Sequence, residues 1–333
     1  MADELRSDAI ESAAGSRGVS RLFAAYVFPV AFFGSLALSI AAFERGLSAG
    51  MAFAVGMVFG YAVVIMGERV CPFVSDWNRN HGDVPTDLAW AGSVVATGAI
   101  FTPLITVLGA WAGSLLAGAF GSSLWPSELP LALQLVLALV VVEFFQYWVH
   151  RFEHELDWLW RFHATHHSAP RLYWLNAARF HFVDILILNV AYLVPLVALG
   201  APEPVFVLWV VASSVHGICQ HANMQIRCGP LNWIFSMAEL HRWHHSPLVR
   251  ESNTNYGQTL ILWDIVFGTR FLPSDRDPPA EIGLAGLSAF PMTWWAQLVS
   301  PLRWARIKRE SADASRGGVP SSTGIPAPGT PRI

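Results

Sequence analysis

The residues of this 333-residue chain best suited to chemistry are its histidines, and they are crowded: eleven of the twelve fall between His150 and His245. Three clusters stand out: HRFEH with His150 and His154, HATHH with His163, His166 and His167, and HRWHH with His241, His244 and His245. Residues three and four apart share a helix face, so each cluster, if helical, aims its imidazoles together. Each HxxHH triplet is expected to present its three rings to one centre. Neutral imidazole suits iron, zinc, copper and nickel, and no cysteine lies inside a cluster to bias the site toward thiolate chemistry. The clusters supply eight nitrogen ligands and His221, which opens HAN, a ninth. One metal ion cannot use so many; two can.

Other residues carry weaker signals. His181, in RFH, and His216 are further candidate ligands, although His216 precedes His221 by five residues and does not share its helical face cleanly. His81, alone in a polar stretch, reads as a hydrogen-bonded surface residue. Glu143 lies seven residues before His150 in an apolar run, where an unpaired carboxylate is costly. It reads either as an acceptor orienting an imidazole N–H or as paired elsewhere in the bundle. HRFEH also matches HxxEH, an inverted zinc-protease signature with Glu153 as the catalytic carboxylate, but that reading leaves both HxxHH triplets unexplained. Closed structural zinc sites are four-coordinate, and two of them would leave His221 idle.

The elements that position these residues are read from composition. The chain is 53% hydrophobic and 14% charged, with a mean hydropathy of +0.42, whereas soluble domains carry about 25% charged residues. A net charge of −3 gives no reason to expect nucleic acid, and three scattered cysteines form no disulfide framework. Six apolar runs approach the ~20 residues that cross a bilayer: 21–43, 48–67, 92–120, 131–149, 183–199 and 203–220. The fold expected is an all-α polytopic membrane bundle under a cytoplasmic, histidine-rich helical cap that holds a dinuclear metal site. The polar segment between the second and third runs is expected outside the hydrocarbon.

Basic residues near span ends stay cytoplasmic, and Arg6, Arg17, Arg21, Arg69, Arg79, Arg151, Arg161, Arg171 and Arg179 all fall on the side that an N-in topology places there. Arg45 alone falls opposite. Trp148, Trp158, Trp160, Trp174 and Trp243 sit where an aromatic belt would lie. NYGQTLILWDIVFGTRF reads as a short hairpin or re-entrant piece, and PMTWWAQLVSPLRW as an interfacial helix. The organisation expected is a polar tail (1–20), one membrane domain (21–310) and a Ser-, Gly- and Pro-rich disordered tail (311–333).

The order and spacing of these motifs resemble the fatty acid hydroxylase and sterol desaturase superfamily of integral-membrane di-iron oxygenases. The flanks WLWRFHATHHS, QHAN, ELHRWHHSP and TNYGQTLILWDIVFGT extend the likeness over roughly residues 60 to 275. The resemblance implies that His150, His154, His163, His166, His167, His221, His241, His244 and His245 bind two irons, with His181 or His216 as an additional ligand. It also implies O2 as co-substrate, a membrane lipid as substrate in the bilayer, and electrons from a separate ferredoxin or cytochrome b5-type protein with its reductase. Hydroxylation is the reaction expected, desaturation the alternative, and the bacterial inner membrane the location.

Overall fold

In a computed structural model of the protein, residues 2–279, 281–284 and 286–317 are described, with side chains from Leu22 onward. Among them there is no β-strand, and an isolated bridge pairs Phe235 with Leu260. The long helices are α1 (Ala2–Glu44), α2 (Ala49–Val70), α3 (Val84–Phe120) and α4 (Leu131–Glu155); after the shorter α5 (Asp157–His167) come α6 (Phe182–Leu199) and α7 (Glu203–His221). Six of these contain spans long and apolar enough to cross a membrane, α1 from Leu22 onward. Short elements complete the cap: a 3-10 turn at Trp174–Ala178, α8 (Ala238–His244), α9 (Val249–Ser252), α10 (Leu262–Val266), α11 (Trp294–Leu298) and α12 (Trp304–Gly317).

Helix ends follow local chemistry. The Ser48 hydroxyl accepts from the Met51 amide to open α2, while α3 and α6 close on Gly121 and Gly200, both at positive φ, where glycine has no Cβ penalty. The α1–α2–α7 contact is close-packed because α2 is smooth there. A Cβ on Gly60 would stand 2.6 Å from both Ser35 Oγ and Val215 Cγ2, the close approach that small residues allow between membrane helices.

The bundle is an open series. α1 packs on α2 and α7, α2 on α7, α7 on α4, α4 on α6, and α6 on α3. α2 and α3, at its two ends, share no packed interface.

The structure adds detail to the sequence reading at four places. α3 starts at Val84, so VPTDLAW, expected outside the hydrocarbon, is helical, and its polar side chains clamp the cap. Asp87 accepts from Arg179 and from the Tyr173 hydroxyl (2.7 Å), Asp83 pairs with Arg171 (2.8 and 3.1 Å), and Trp90 Nε1 donates to Gln297 (2.7 Å). The first span's helix runs back to Ala2 through the stretch expected as a tail. At the other end α12 crosses residue 311, where the buried Ser311 hydroxyl accepts from the Ala289 amide; residues 318–333 of the expected disordered tail lie outside the described residues. Trp243, expected in an aromatic belt, is buried within the cap.

Asp87 and Arg179 are both fully buried, and removing one partner of such a pair leaves an uncompensated charge. Asp87→Asn should destabilise the protein by about 3–5 kcal/mol, read as a lower melting temperature in detergent, with metal binding weakened in parallel because Arg179 belongs to the loop that carries Asn176.

Candidate metal centre

α4 continues unbroken from its apolar span through His150 and His154, and α5 and α8 carry the two triplets. Nine histidines fall into two adjacent groups. One nitrogen each from His150, His154, His163, His167 and His244 lie within 4.8 Å of one another, and so do those of His166, His221, His241 and His245. The triplets are therefore split, contrary to the expectation that each serves one centre. His163 and His167 go one way and His166 the other; His241 and His245 go together and His244 crosses over. Helix geometry explains this: at 3.6 residues per turn, i+4 lies about 40° to one side of i and i+3 about 60° to the other. His167 and His245, from different groups, stack with centroids 4.4 Å apart.

Oxygen acceptors fix the rings. Nδ1 of His150 donates to the Tyr256 carbonyl (2.7 Å), His154 to Asn253 Oδ1 (3.2 Å), His163 to Asp184 Oδ2 (3.0 Å), His221 to Asn176 Oδ1 (2.9 Å) and His244 to the Thr254 carbonyl (2.8 Å). With Nδ1 protonated, Nε2 carries the lone pair, the tautomer a metal requires. His150 Nε2 then faces His163 Nε2 at 3.1 Å, lone pair to lone pair, and His241 Nε2 stands 3.0 Å from Nε2 of both His221 and His245. Nε2 of His154, His167 and His244 is buried with no partner among the described residues. Opposed lone pairs and orphaned acceptors are unfavourable unless a cation sits among them, so the donor set fits metal ions. Burial, reinforced by neighbouring imidazoles, holds His163, His166, His167, His241, His244 and His245 well below the ordinary histidine range, which keeps them neutral.

A cavity of about 580 Å³ runs from these rings into the bundle, its floor including His150 and His163 from one group and His166, His221 and His241 from the other. Its walls come from α2, α3, α6 and α7, mostly apolar, with Asn189 and Tyr192 among the polar exceptions.

Residues 135–269, the stretch that builds most of this site, match the fatty acid hydroxylase family. Over 245 residues, 72% of each chain, the sequence is 41% identical to the ornithine lipid hydroxylase OlsE of Rhizobium tropici. The chain belongs to the fatty acid hydroxylase family. It is also 34% identical over 137 residues to the alkylglycerol monooxygenase of Xenopus tropicalis, covering 30% of that protein. It is 28% identical over 147 residues to methylsterol monooxygenase 1-2 of Arabidopsis thaliana, covering 48% of it. No solved structure matches it significantly.

In this hydroxylase-family chain the remaining sequence candidates lie elsewhere. His181 caps α6, its Nδ1 accepting from the Val183 amide and its Nε2 meeting the Leu298 carbonyl. His216 is buried among Phe28, Phe32 and Phe235, outside both groups. Glu143 orients no imidazole. Its carboxylate accepts from the Gln258 and Thr259 amides, because the loop whose Thr254 and Tyr256 carbonyls hold His244 and His150 must be anchored. Asp264 does the same for the amides of Tyr256 and Gly257 (2.8 and 2.7 Å). His81 is partly exposed against Asp76, as a surface residue should be.

Sequence reasoning missed the acceptors Asp184, Asn176 and Asn253. Only Asp184 carried a signal, a carboxylate in the first turn of an apolar run. The other two sit on loops whose course is not periodic.

Asn176→Ala removes the acceptor that orients His221, and loss of such a partner lowers metal affinity by about 10–100-fold; chelator competition measures it. The six neutral rings named above bind protons more weakly in the folded than in the unfolded chain, whose histidines titrate near about 6.5. Metal-free protein should keep full stability above about pH 6.5 and lose it as pH falls. Melting temperatures taken from about pH 8 down to about pH 5 test this, and a flat profile would contradict it.

Proposed function

We propose that this protein is a membrane-bound di-iron oxygenase that hydroxylates a C–H bond of a membrane lipid, using O2 and two electrons from a separate ferredoxin or cytochrome b5-type donor. The observation that carries the reading is the cavity: an apolar lumen among membrane helices ends on histidines of both groups. A closed structural zinc site would have no use for it. His150, His154, His163, His167 and His244 are assigned to one iron, and His166, His221, His241 and His245 to the other. Irons bound there would supply the O2 activation and hydrogen removal that an unactivated carbon requires and side-chain acids and bases cannot provide.

The chain's own residues do the rest. Asp184, Asn176, Asn253 and the Thr254 and Tyr256 carbonyls hold the imidazoles in the metal-binding tautomer. The apolar walls exclude water and align the lipid.

The hydroxylase and monooxygenase names of the relatives favour hydroxylation over desaturation. OlsE is named for ornithine lipid, which makes an aminolipid of that type the first substrate to try, ahead of the other acyl lipids, sterols or hopanoids, carotenoids and ether lipids. The arginine asymmetry favours a cytoplasmic cap, and the bacterial inner membrane is the location proposed. The protease reading needs Glu153 in front of a metal, whereas Glu153 Oε2 lies 3.5 Å from His163 Nδ1, behind the ring.

Purified protein grown on iron-57 should carry two irons per chain with a coupled di-iron Mössbauer signal. His166→Ala should lose hydroxylation of ornithine lipid and lower the iron content. Full activity in that variant would remove the site assignment, and two zincs without iron after anaerobic iron loading would remove the reaction.

A further inference from the structure

The helix series α2–α7–α4–α6–α3 is open between α2 and α3, and the cavity lies in that opening. α2 contributes Tyr61 to the wall; α3 contributes one face, including Val95, Gly98 and Thr102. Val95 is a wall residue and yet 72% exposed, so the wall there reaches the outer surface of the bundle, within a helix long and apolar enough to cross a membrane. Nearer the cap the slot is crossed by the Trp174–Ala178 turn. Trp174 meets Tyr61 edge-on at 6.1 Å, and its amide donates to Glu68.

Two helical glycines mark the interior. A Cβ added to Gly98 or to Gly217 would meet nothing within 4 Å, and both residues line the cavity. Gly217 lies four residues before His221 and so stands above that ring on the same face of α7. Glycine inside a helix is less stable than alanine by about 1 kcal/mol, and at Gly60 the missing Cβ admits a neighbouring helix. At Gly98 and Gly217 it admits only the lumen.

Volume limits what enters. At about 30 Å³ for each water-sized group, 580 Å³ holds about 20 heavy atoms, fewer than a two-chain lipid contains. Part of the molecule must remain in the bilayer while the oxidised segment reaches the histidines, and a side opening satisfies that.

We infer that the lipid enters sideways through the slot between α2 and α3, past Val95 and Gly98, and that Gly217 determines which segments fit beside His221. This inference rests on the lipid-oxygenase reading above. Gly217 is a specificity-determining residue: side chains placed there have open space for their Cβ and shorten the lumen above His221. Gly98 widens the mouth, and a larger residue there slows entry.

The test uses the full-length, iron-loaded protein in phosphatidylglycerol nanodiscs containing ornithine lipid. Retained ornithine lipid is measured by native mass spectrometry and product by chromatography with mass detection. A group that no longer fits a formed pocket is typically discriminated by about tenfold or more. Gly217→Leu should lower lipid retention and turnover by about that factor, with iron per chain unchanged and the melting temperature equal or higher. Gly98→Leu should lower kcat/KM and leave kcat unaltered. Gly118→Leu, at an exposed glycine of α3 away from the cavity and also with open space around its Cβ position, should behave as wild type. Unchanged retention and turnover in Gly217→Leu would overturn the inference, as would loss of iron from it. Wild-type protein that retains ornithine lipid but forms no hydroxylated product would overturn the reaction proposed above, and lipid retention in Gly217→Leu would still decide whether the lumen beside His221 holds the lipid.

Discussion

Nine imidazoles crowded into two adjacent groups are the constraint on which the rest of this structure depends. Each ring is an amphiphile whose lone pair must face its neighbours' lone pairs if a cation is to be held, and nothing in the rings prevents them from turning away. Oxygen acceptors on their Nδ1 sides do prevent it. Asp184, Asn176, Asn253 and the Thr254 and Tyr256 carbonyls hold five rings outward from the protein and inward to the centres. Those acceptors in turn must not move. Glu143 and Asp264 pin the loop that carries the two carbonyls, and the Arg171–Asp83 and Arg179–Asp87 pairs pin the loop that carries Asn176.

This arrangement links cap to membrane. α3 is longer than a bilayer requires, and its first turns present Asp87 and Trp90 to the cap. α4 and α7 deliver His150, His154 and His221 directly from their spans. The two histidine groups therefore sit at the foot of a lumen that the same helices enclose, and rigid spans, rather than loops, fix the distance between lumen and histidines. An enzyme acting on a molecule that never leaves the bilayer benefits from that placement, because the substrate need not be lifted through water. The open edge between α2 and α3 completes it.

The sequence by itself determined the number of spans, the all-helical class, and which histidines would converge. Apolar run length decides spanning, since a bilayer tolerates only helices with satisfied backbones, and spacings of three and four decide helical faces whatever the fold. His150 and His154, and the two HxxHH triplets, needed nothing else. His221 was legible from its place at the end of the last span, opening HAN, and the family likeness agreed.

Only the tertiary structure decided how nine rings divide into five and four, because the roughly 100° between i+3 and i+4 has meaning only once helices from two directions meet. It alone assigned Glu143 to a loop instead of a ring, left His181 and His216 outside the groups, and drew Asn176, Asn253 and Asp184 to the imidazoles. Those contacts join residues far apart in the chain across non-periodic loops, where local pattern carries no register. The start of α3 and the reach of α12 have the same cause: Asp87, Trp90 and Ser311 find their buried partners in segments far away in the chain.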